Sequence, residues 1–437
     1  MRKLRFHILA AIVWSFAVMS ASAQTFEVIT NFNRSHGSNP ATALIQGTDG
    51  KLYSTTPYGG QNRSIDTGAV YAVTTDGTLT TVYSFCIQTN CDDGVEPEAK
   101  LVLAGDGNYY GTTEYGGKGC PTLGGCGTIF RITSTGKLTT LYNFCVSTNC
   151  PDGSYPLAGL IQGTDGSLYG VTSNGGIGPC STAQATGCGT IFKITTSGTF
   201  TVLHQFNSSD GGIPEAELMQ ATDGNFYGTT TTGGTSNLGT VFRMIPAGTL
   251  TSLHSFDGAD GADPRAALIQ ATDGSLYGTT TEMGTNHGGT AFRISHSGKF
   301  TTFYNFCSQP DCTDGRSPSG LIQATDGNFY GTTVSGGTGV NCPDGETGCG
   351  TAFRVTSAGV LTNLHSFEFR DGISPIAGLL QATDGNFYGT TELEGGDLGC
   401  SLDAGCGTAY RLSLGIAPFV SLQHYSGKVG QQVGVFG

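Results

Sequence analysis

The sequence predicts an all-β fold, a seven-bladed β-propeller of four-stranded antiparallel blades. Three observations predict it. One word recurs: Asp-Gly pairs stand at Asp49, Asp106, Asp165, Asp223, Asp273, Asp326 and Asp384, separated by 57, 59, 58, 50, 53 and 58 residues. Four residues after each Asp stands a tyrosine, Tyr53, Tyr110, Tyr169, Tyr227, Tyr277, Tyr330 and Tyr388. A period of this length kept along the chain marks a repeat architecture. The composition agrees, because 70 Gly in 437 residues, among many Thr, Tyr and Phe, describe short strands joined by tight turns. Finally, each repeat holds four strand-like runs, and four antiparallel strands repeated radially make a propeller.

In chain order, residues 1–23 read as a secretory signal peptide. Arg2, Lys3 and Arg5 precede an apolar run from Ile8 to Met19, and Ala21-Ser22-Ala23 forms a small-residue cleavage site. Its removal lowers Lys+Arg from 20 to 17 against 33 acids, which takes the net charge from −13 to −16. Nucleic acid and anionic lipid are thereby excluded as expected partners. No later stretch approaches the ~20 apolar residues that span a bilayer, so the chain is expected to be exported without a transmembrane segment. Removal also takes Trp14, the single Trp.

The second repeat serves as the pattern. Its strands are predicted at Ala99–Ala104, Asn108–Thr113, Gly127–Thr133 and Lys137–Phe144, with turns at Asp106-Gly107 and Gly136 and a Gly-rich loop at Gly116–Gly125. The fourth strand recurs as Leu79–Phe85, Phe200–Phe206, Leu250–Phe256, Phe300–Phe306 and Leu361–Phe367. The seventh repeat stops after its third strand, Gly407–Leu412, and the missing piece stands at the start of the mature chain, Phe26–Phe32. That segment is expected to complete the last blade, which would leave no open sheet edge. The propeller therefore spans 24–415.

Fourteen cysteines form seven near neighbours: Cys86/Cys91, Cys120/Cys126, Cys145/Cys150, Cys180/Cys188, Cys307/Cys312, Cys342/Cys349 and Cys400/Cys406. Each pair sits in an inserted loop, and the shorter loops of other repeats carry none. Paired gain and loss predicts loop-local disulfides in an exported protein. Zinc would need four ligands to converge from separate repeats.

The Asp-Gly-Asn-Phe-Tyr-Gly-Thr-Thr, Gly-Gly, Gly-Thr-x-Phe-Arg and Leu-Thr-Thr-Leu-Tyr-Asn-Phe words resemble the GloVer repeat of exported bacterial choice-of-anchor tandem repeat proteins. The resemblance covers roughly residues 25–415 and implies a secreted or surface location with a variable C-terminal anchor. It implies no established activity. A looser likeness to kelch propellers lies in the Asp-Gly turn, the tyrosine and the following Gly-Gly, without the kelch Trp. Residues 416–437, through Ile416-Ala417-Pro418-Phe419-Val420, resemble the opening of an immunoglobulin-like module of the IPT/TIG type. About 22 residues are too few for such a sandwich of ~100, so the chain is expected to be part of a longer protein.

Strand order places the Gly-Gly loops, the fourth-to-first connections and every cysteine pair on one face, the expected ligand face. Asp93, Asp152, Asp210, Asp260, Asp314 and Asp371, with His36 as a seventh copy, precede the first strands and are expected to circle the channel mouth. Two readings apply, a ring attracting a cation such as Ca²⁺ or an Asx-turn before each first strand. Positions where the copies disagree are better site candidates. Glu114 and Glu392 stand where other repeats have Pro57, Ser173, Thr231, Thr281 and Val334, and Asp344, Glu346, Glu394, Asp397 and Asp403 add acids on that face. Tyr58, Tyr115 and Tyr155 in the loops could stack on sugars.

The preferred function is a non-catalytic binding or adhesion scaffold for a protein or glycan, monomeric, without a cofactor unless Ca²⁺ binds. One alternative is a carbohydrate-active enzyme, a glycoside hydrolase or lyase, using loop-face carboxylates, Glu114 or Glu392. Another is a structural spacer. No nucleophile elbow, phosphate-cradling glycine motif or metal-spaced histidine cluster is present.

Overall fold

The computed structural model describes residues 24–61, 66–118, 126–178, 180, 187–342, 348–393, 395, 405–422 and 435–436. Residues 1–23, read as a signal peptide, lie outside them. So do Asp344, Glu346, Glu394, Asp397 and Asp403, and most of the segment read as immunoglobulin-like, of which only a two-stranded pairing of Ser421–Leu422 with Val435–Phe436 is described.

Seven antiparallel sheets form the blades. In blade 2 the strands are Val102–Leu103, Tyr109–Thr113, Thr128–Ile132 and Leu138–Asn143. The first strand is shorter than expected. Only the two residues beside the Asp-Gly turn pair with the second strand, in register Val102↔Tyr110 and Leu103↔Tyr109. Towards the loop face the second strand bonds the next blade instead: the Thr112 hydroxyl donates to the Ala158 carbonyl at 3.3 Å. The equivalent Thr229 and Thr390 reach Pro264 and Pro40. The following threonine bonds inside its own blade, Thr113 to Thr128 at 2.9 Å and Thr230 to Thr240 at 2.9 Å. The glycine before them makes room for a ring. A Cβ on Gly228 would stand 2.6 Å from Phe242 of the third strand. Gly-Thr-Thr is thus a packing word.

The Asp-Gly-x-x-Tyr word is equally local. Asp106 accepts the Asn108 amide at 3.0 Å, closing the turn, and the Tyr110 hydroxyl at 2.7 Å, while the tyrosine ring is buried. Apolar clusters join neighbouring blades; one packs Tyr169 and Phe206 of blade 3 with Leu218 and Phe242 of blade 4. At the base, glutamines of the first strands tie six of the seven blades to the one before. The Gln270 side-chain oxygen accepts the Thr222 amide at 2.9 Å, and Gln46 accepts Thr383 across the closure at 3.0 Å.

Closure is as expected. Thr25–Asn31 pairs with Thr408–Ser413, from Thr25↔Ser413 to Asn31↔Thr408, and supplies the fourth strand of blade 7. Phe26 stacks on His365 of blade 6 at 3.6 Å. Five disulfides close within their loops, Cys86–Cys91, Cys145–Cys150, Cys180–Cys188, Cys307–Cys312 and Cys342–Cys349. Cys126 and Cys406 are also disulfide-bonded, whereas Cys120 and Cys400 lie outside the described residues. Among the described residues no helix is long and apolar enough to cross a membrane.

Candidate functional site

First strands from all seven blades line a central channel of about 950 Å³. None of Asp93, Asp152, Asp210, Asp260, Asp314, Asp371 or His36 is among the lining residues. The expected ring at the channel mouth is corrected. Each aspartate instead folds back on the preceding blade's outer strand. Asp93 is fully buried and accepts the Tyr83 hydroxyl at 2.8 Å and the Ile87 amide at 3.2 Å. Asp152 and Asp314 take Tyr142 and Tyr304 in the same way. Where the connection from the fourth strand to the next first strand lacks cysteine, the tyrosine becomes histidine, giving His204–Asp210 at 3.1 Å, His254–Asp260 at 2.6 Å and His365–Asp371 at 2.9 Å. His36 bonds Asn33 at 2.7 Å. With their oxygens occupied by local partners, these side chains serve as loop closures.

The residues that do reach the mouth flank the proline after each aspartate. The residue before that proline is left-handed in every blade, with φ of 60° at Asn39, 55° at Glu96, 57° at Tyr155, 54° at Ile213, 57° at Asp263, 55° at Ser317 and 54° at Ser374. After this bend the residue that follows the proline lines the channel in six blades, as Ala41, Glu98, Leu157, Glu215, Arg265 and Ser319. In blade 2 the successor is Glu98, which lines the channel. The second strand brings Glu114 alongside, its amide donating to the Glu96 carbonyl at 2.9 Å. One carboxylate oxygen each of Glu96, Glu98 and Glu114 lie within 4.8 Å of one another.

No described basic side chain forms an ion pair with any of the three. Burial, then the charges of Glu114, Glu96, Glu392 and Glu215, push the Glu98 carboxyl up to about 7. Burial also raises Glu96 and Glu392. Glu114 is raised mainly by burial, with Glu96 and Glu215 adding to it.

The two predicted acids, Glu114 and Glu392, thus both act on Glu98, and the predicted tyrosines gather beside them. Tyr115 and Tyr155 meet edge to face at 5.5 Å and 89°. Tyr58 is 38% exposed, and its hydroxyl is raised by burial and by Glu96, Glu98, Glu114 and Glu392. Tyr115 rests on Val95 and the Cys86–Cys91 disulfide. Across the channel Glu215 and Asp263 both hold Arg265, each at 2.7 Å. Glu98, Glu96 and Glu215 were not among the predicted residues. Their signal was present, because the position after the proline reads Ala41, Glu98, Leu157, Glu215, Arg265, Ser319 and Ile376, so the copies disagree there too.

The Gloeobacter/Verrucomicrobia repeat matches residues 14–183 and 177–342. The chain belongs to this family. Within the Gloeobacter/Verrucomicrobia repeat, the words that recur build blades, and the mouth is assembled from positions at which the repeats differ. No curated protein matches the sequence. Among solved structures the chain is similar to the extracellular domain of a protein assigned as a hybrid two-component system of B. thetaiotaomicron. The identity is 10% and the TM-score 0.52, over 92% of this chain and 41% of that one. The chain thus spans about two fifths of that structure's length. It is also similar to a protein from Bacteroides uniformis assigned as a 6-phosphogluconolactonase, at 15% identity and a TM-score of 0.51, over 83% of this chain and 99% of that one. At such identities the likeness is one of fold alone.

Proposed function

We propose that this Gloeobacter/Verrucomicrobia repeat protein is an exported, non-catalytic binding scaffold whose ligand face is the loop end of the ring. The Tyr115–Tyr155 edge-to-face pair beside Glu114 carries the reading. Aromatic faces supply contact area at low entropic cost, and Tyr58 extends the patch. Disulfide-closed loops fit an oxidising compartment and hold the patch in one shape before a ligand arrives. A glycan or a protein is the ligand. Arrays of both, probed with and without Ca²⁺, test this. A ligand whose binding falls at least roughly tenfold in Tyr58→Ala or Tyr155→Ala supports it; arrays without a ligand overturn it.

One observation favours a second reading, a carbohydrate-active enzyme. A carboxyl raised to about 7 among other carboxyls is one half of the arrangement that separates an acid from a base at neutral pH. The spacing within 4.8 Å is nearest to the ~5–5.5 Å of retaining glycosidases. The pair would then be Glu98 as acid and Glu114 as nucleophile, with Glu392 outside it. Turnover on a polysaccharide panel that Glu98→Gln abolishes would establish this reading. Silence on both panel and arrays would leave a spacer.

A further inference from the structure

We propose that the central channel is a cavity for an organic cation, an aliphatic ammonium group on an apolar stem, bound with the ammonium at the mouth and the stem pointing towards the base. The inference deepens the reading of the loop end as a ligand face and rests on it.

Alternate residues of each first strand face the channel, which gives it levels. At the mouth stand Glu98, Glu215 and Arg265. One level down, five blades offer only Ala43, Gly159, Ala267, Gly320 and Gly378. The remaining two blades contribute Lys100 and Glu217, paired at 3.2 Å. Glu217 reaches Lys100 by passing over Gly159, where a Cβ would stand 2.2 Å from its carboxylate. This strut occupies one side and leaves the side of blades 5, 6, 7 and 1 open. Below it the wall turns apolar, with Ile45, Ile161, Met219, Ile269, Ile322 and Leu380. The volume of about 950 Å³ falls within the ~300–1,000 Å³ usual for small-molecule sites.

Charge then selects the occupant. Around the mouth and the level below it stand seven acids, Glu96, Glu98, Glu114, Glu215, Glu217, Asp263 and Glu392, against two cations, Lys100 and Arg265. Both cations are already paired. An anion would meet repulsion, and a neutral polyol would leave Glu96, Glu98 and Glu114 uncompensated. An ammonium compensates them, and its stem covers Ala, Gly and Ile surface that would otherwise face water. Cation binding stabilises the ionised Glu98 carboxylate, so affinity rises as pH passes upward through 7. Glu96, Glu114, Glu392, Glu215 and Lys100 are the charges that bear on this step.

The test is calorimetry of the whole secreted chain with n-alkylammonium ions from butyl to decyl, together with ammonium alone, Ca²⁺ alone and a lysine-rich peptide. Affinity should rise roughly fourfold per added methylene. It should fall at least roughly tenfold in Glu98→Gln. It should vanish in Gly378→Leu, which fills the open side; a Cβ there meets only Ala43, at 3.9 Å. Binding of free amines without the peptide would identify a soluble ligand, and binding of both a lysine side chain of a partner, each in support. No alkylammonium binding, binding without chain-length dependence, or affinity unchanged in Gly378→Leu overturns the inference. If a Tyr155-dependent array ligand persists in that case, the binding-scaffold reading survives alone. If neither is found, both fall.

Discussion

The Tyr227 hydroxyl donates to an Asp223 carboxylate oxygen at 2.8 Å, joining the two residues that the repeated word places four apart. The same bond forms in all seven blades, at 2.7–3.0 Å. A buried ring is thereby anchored by its tip to the turn that begins its own strand. Tyr227→Phe keeps the ring and deletes the anchor. Its expected cost is about 1 kcal/mol, read from denaturant unfolding.

The same bond makes the fold acid-sensitive. Burial alone would raise the Asp223 carboxyl, but the Asn225 amide, the Tyr227 hydroxyl and the Asn225 side chain hold it below the usual carboxylate range. Asp106, Asp165 and Asp326 are lowered likewise, against burial. A carboxyl depressed in the folded state contributes stability above its unfolded pKa, and that contribution is lost as pH falls through the folded value. Stability should therefore decline steeply below about pH 4, and the decline should be shallower in Tyr227→Phe. Unfolding midpoints measured between pH 2 and pH 6 check this.

The glutamine girdle at the base spans six of seven blade junctions, through Gln46, Gln162, Gln220, Gln270, Gln323 and Gln381. Blade 2 has Leu103 at that position. Leu103→Gln would place an acceptor opposite the Thr48 amide and should stabilise by about 0.5–1 kcal/mol; Gln220→Leu should cost about as much. Equal stability in all three proteins would show that these solvent-facing bonds contribute nothing.

Ile213 is a β-branched residue at φ 54°, ahead of Pro214. A Cβ-branched side chain crowds the backbone there, at a cost of roughly 1–2 kcal/mol. Asn39 occupies the matching place in blade 1. Ile213→Asn should therefore raise stability by about 1 kcal/mol; a loss would mean that the isoleucine's packing outweighs its backbone strain.

Glu98 works in the opposite direction to Asp223. Its carboxyl is raised to about 7 by burial and then by neighbouring acids, so ionisation weakens the fold as pH climbs from the ordinary carboxylate range to 7. Glu98→Gln removes that liability. The variant should be more stable than the parent at pH 8 and indistinguishable at pH 4, as paired denaturation curves would reveal.

The ring, its seven blades and its N-terminal latch were legible because repetition multiplies a weak local signal. Asp-Gly turns recur in one phase of one period, and paired cysteines in two, the Gly-Gly loops and the connections after the fourth strands. The shortness of the first strands was not, because Thr112 spends its hydroxyl on Ala158 of another blade, a partner 46 residues away. The aspartates before the prolines misled for a related reason. Their place in the chain borders the channel strand, yet Tyr83 and His254 draw them outward, and an outer-strand residue facing a loop leaves no periodic mark. Glu114 was found by comparing unlike copies on the second strand. The same comparison one strand earlier reaches Glu98.

The pairing of Thr25 with Ser413 decides how the ring would answer a pull. Both strands leave the closing sheet at the same end, so tension between the chain's two exits would not shear the latch along its length. It would peel the ladder one rung at a time, beginning at Thr25–Ser413 and ending at Asn31–Thr408. Under load a ring closed in this way would open gradually, blade 7 first.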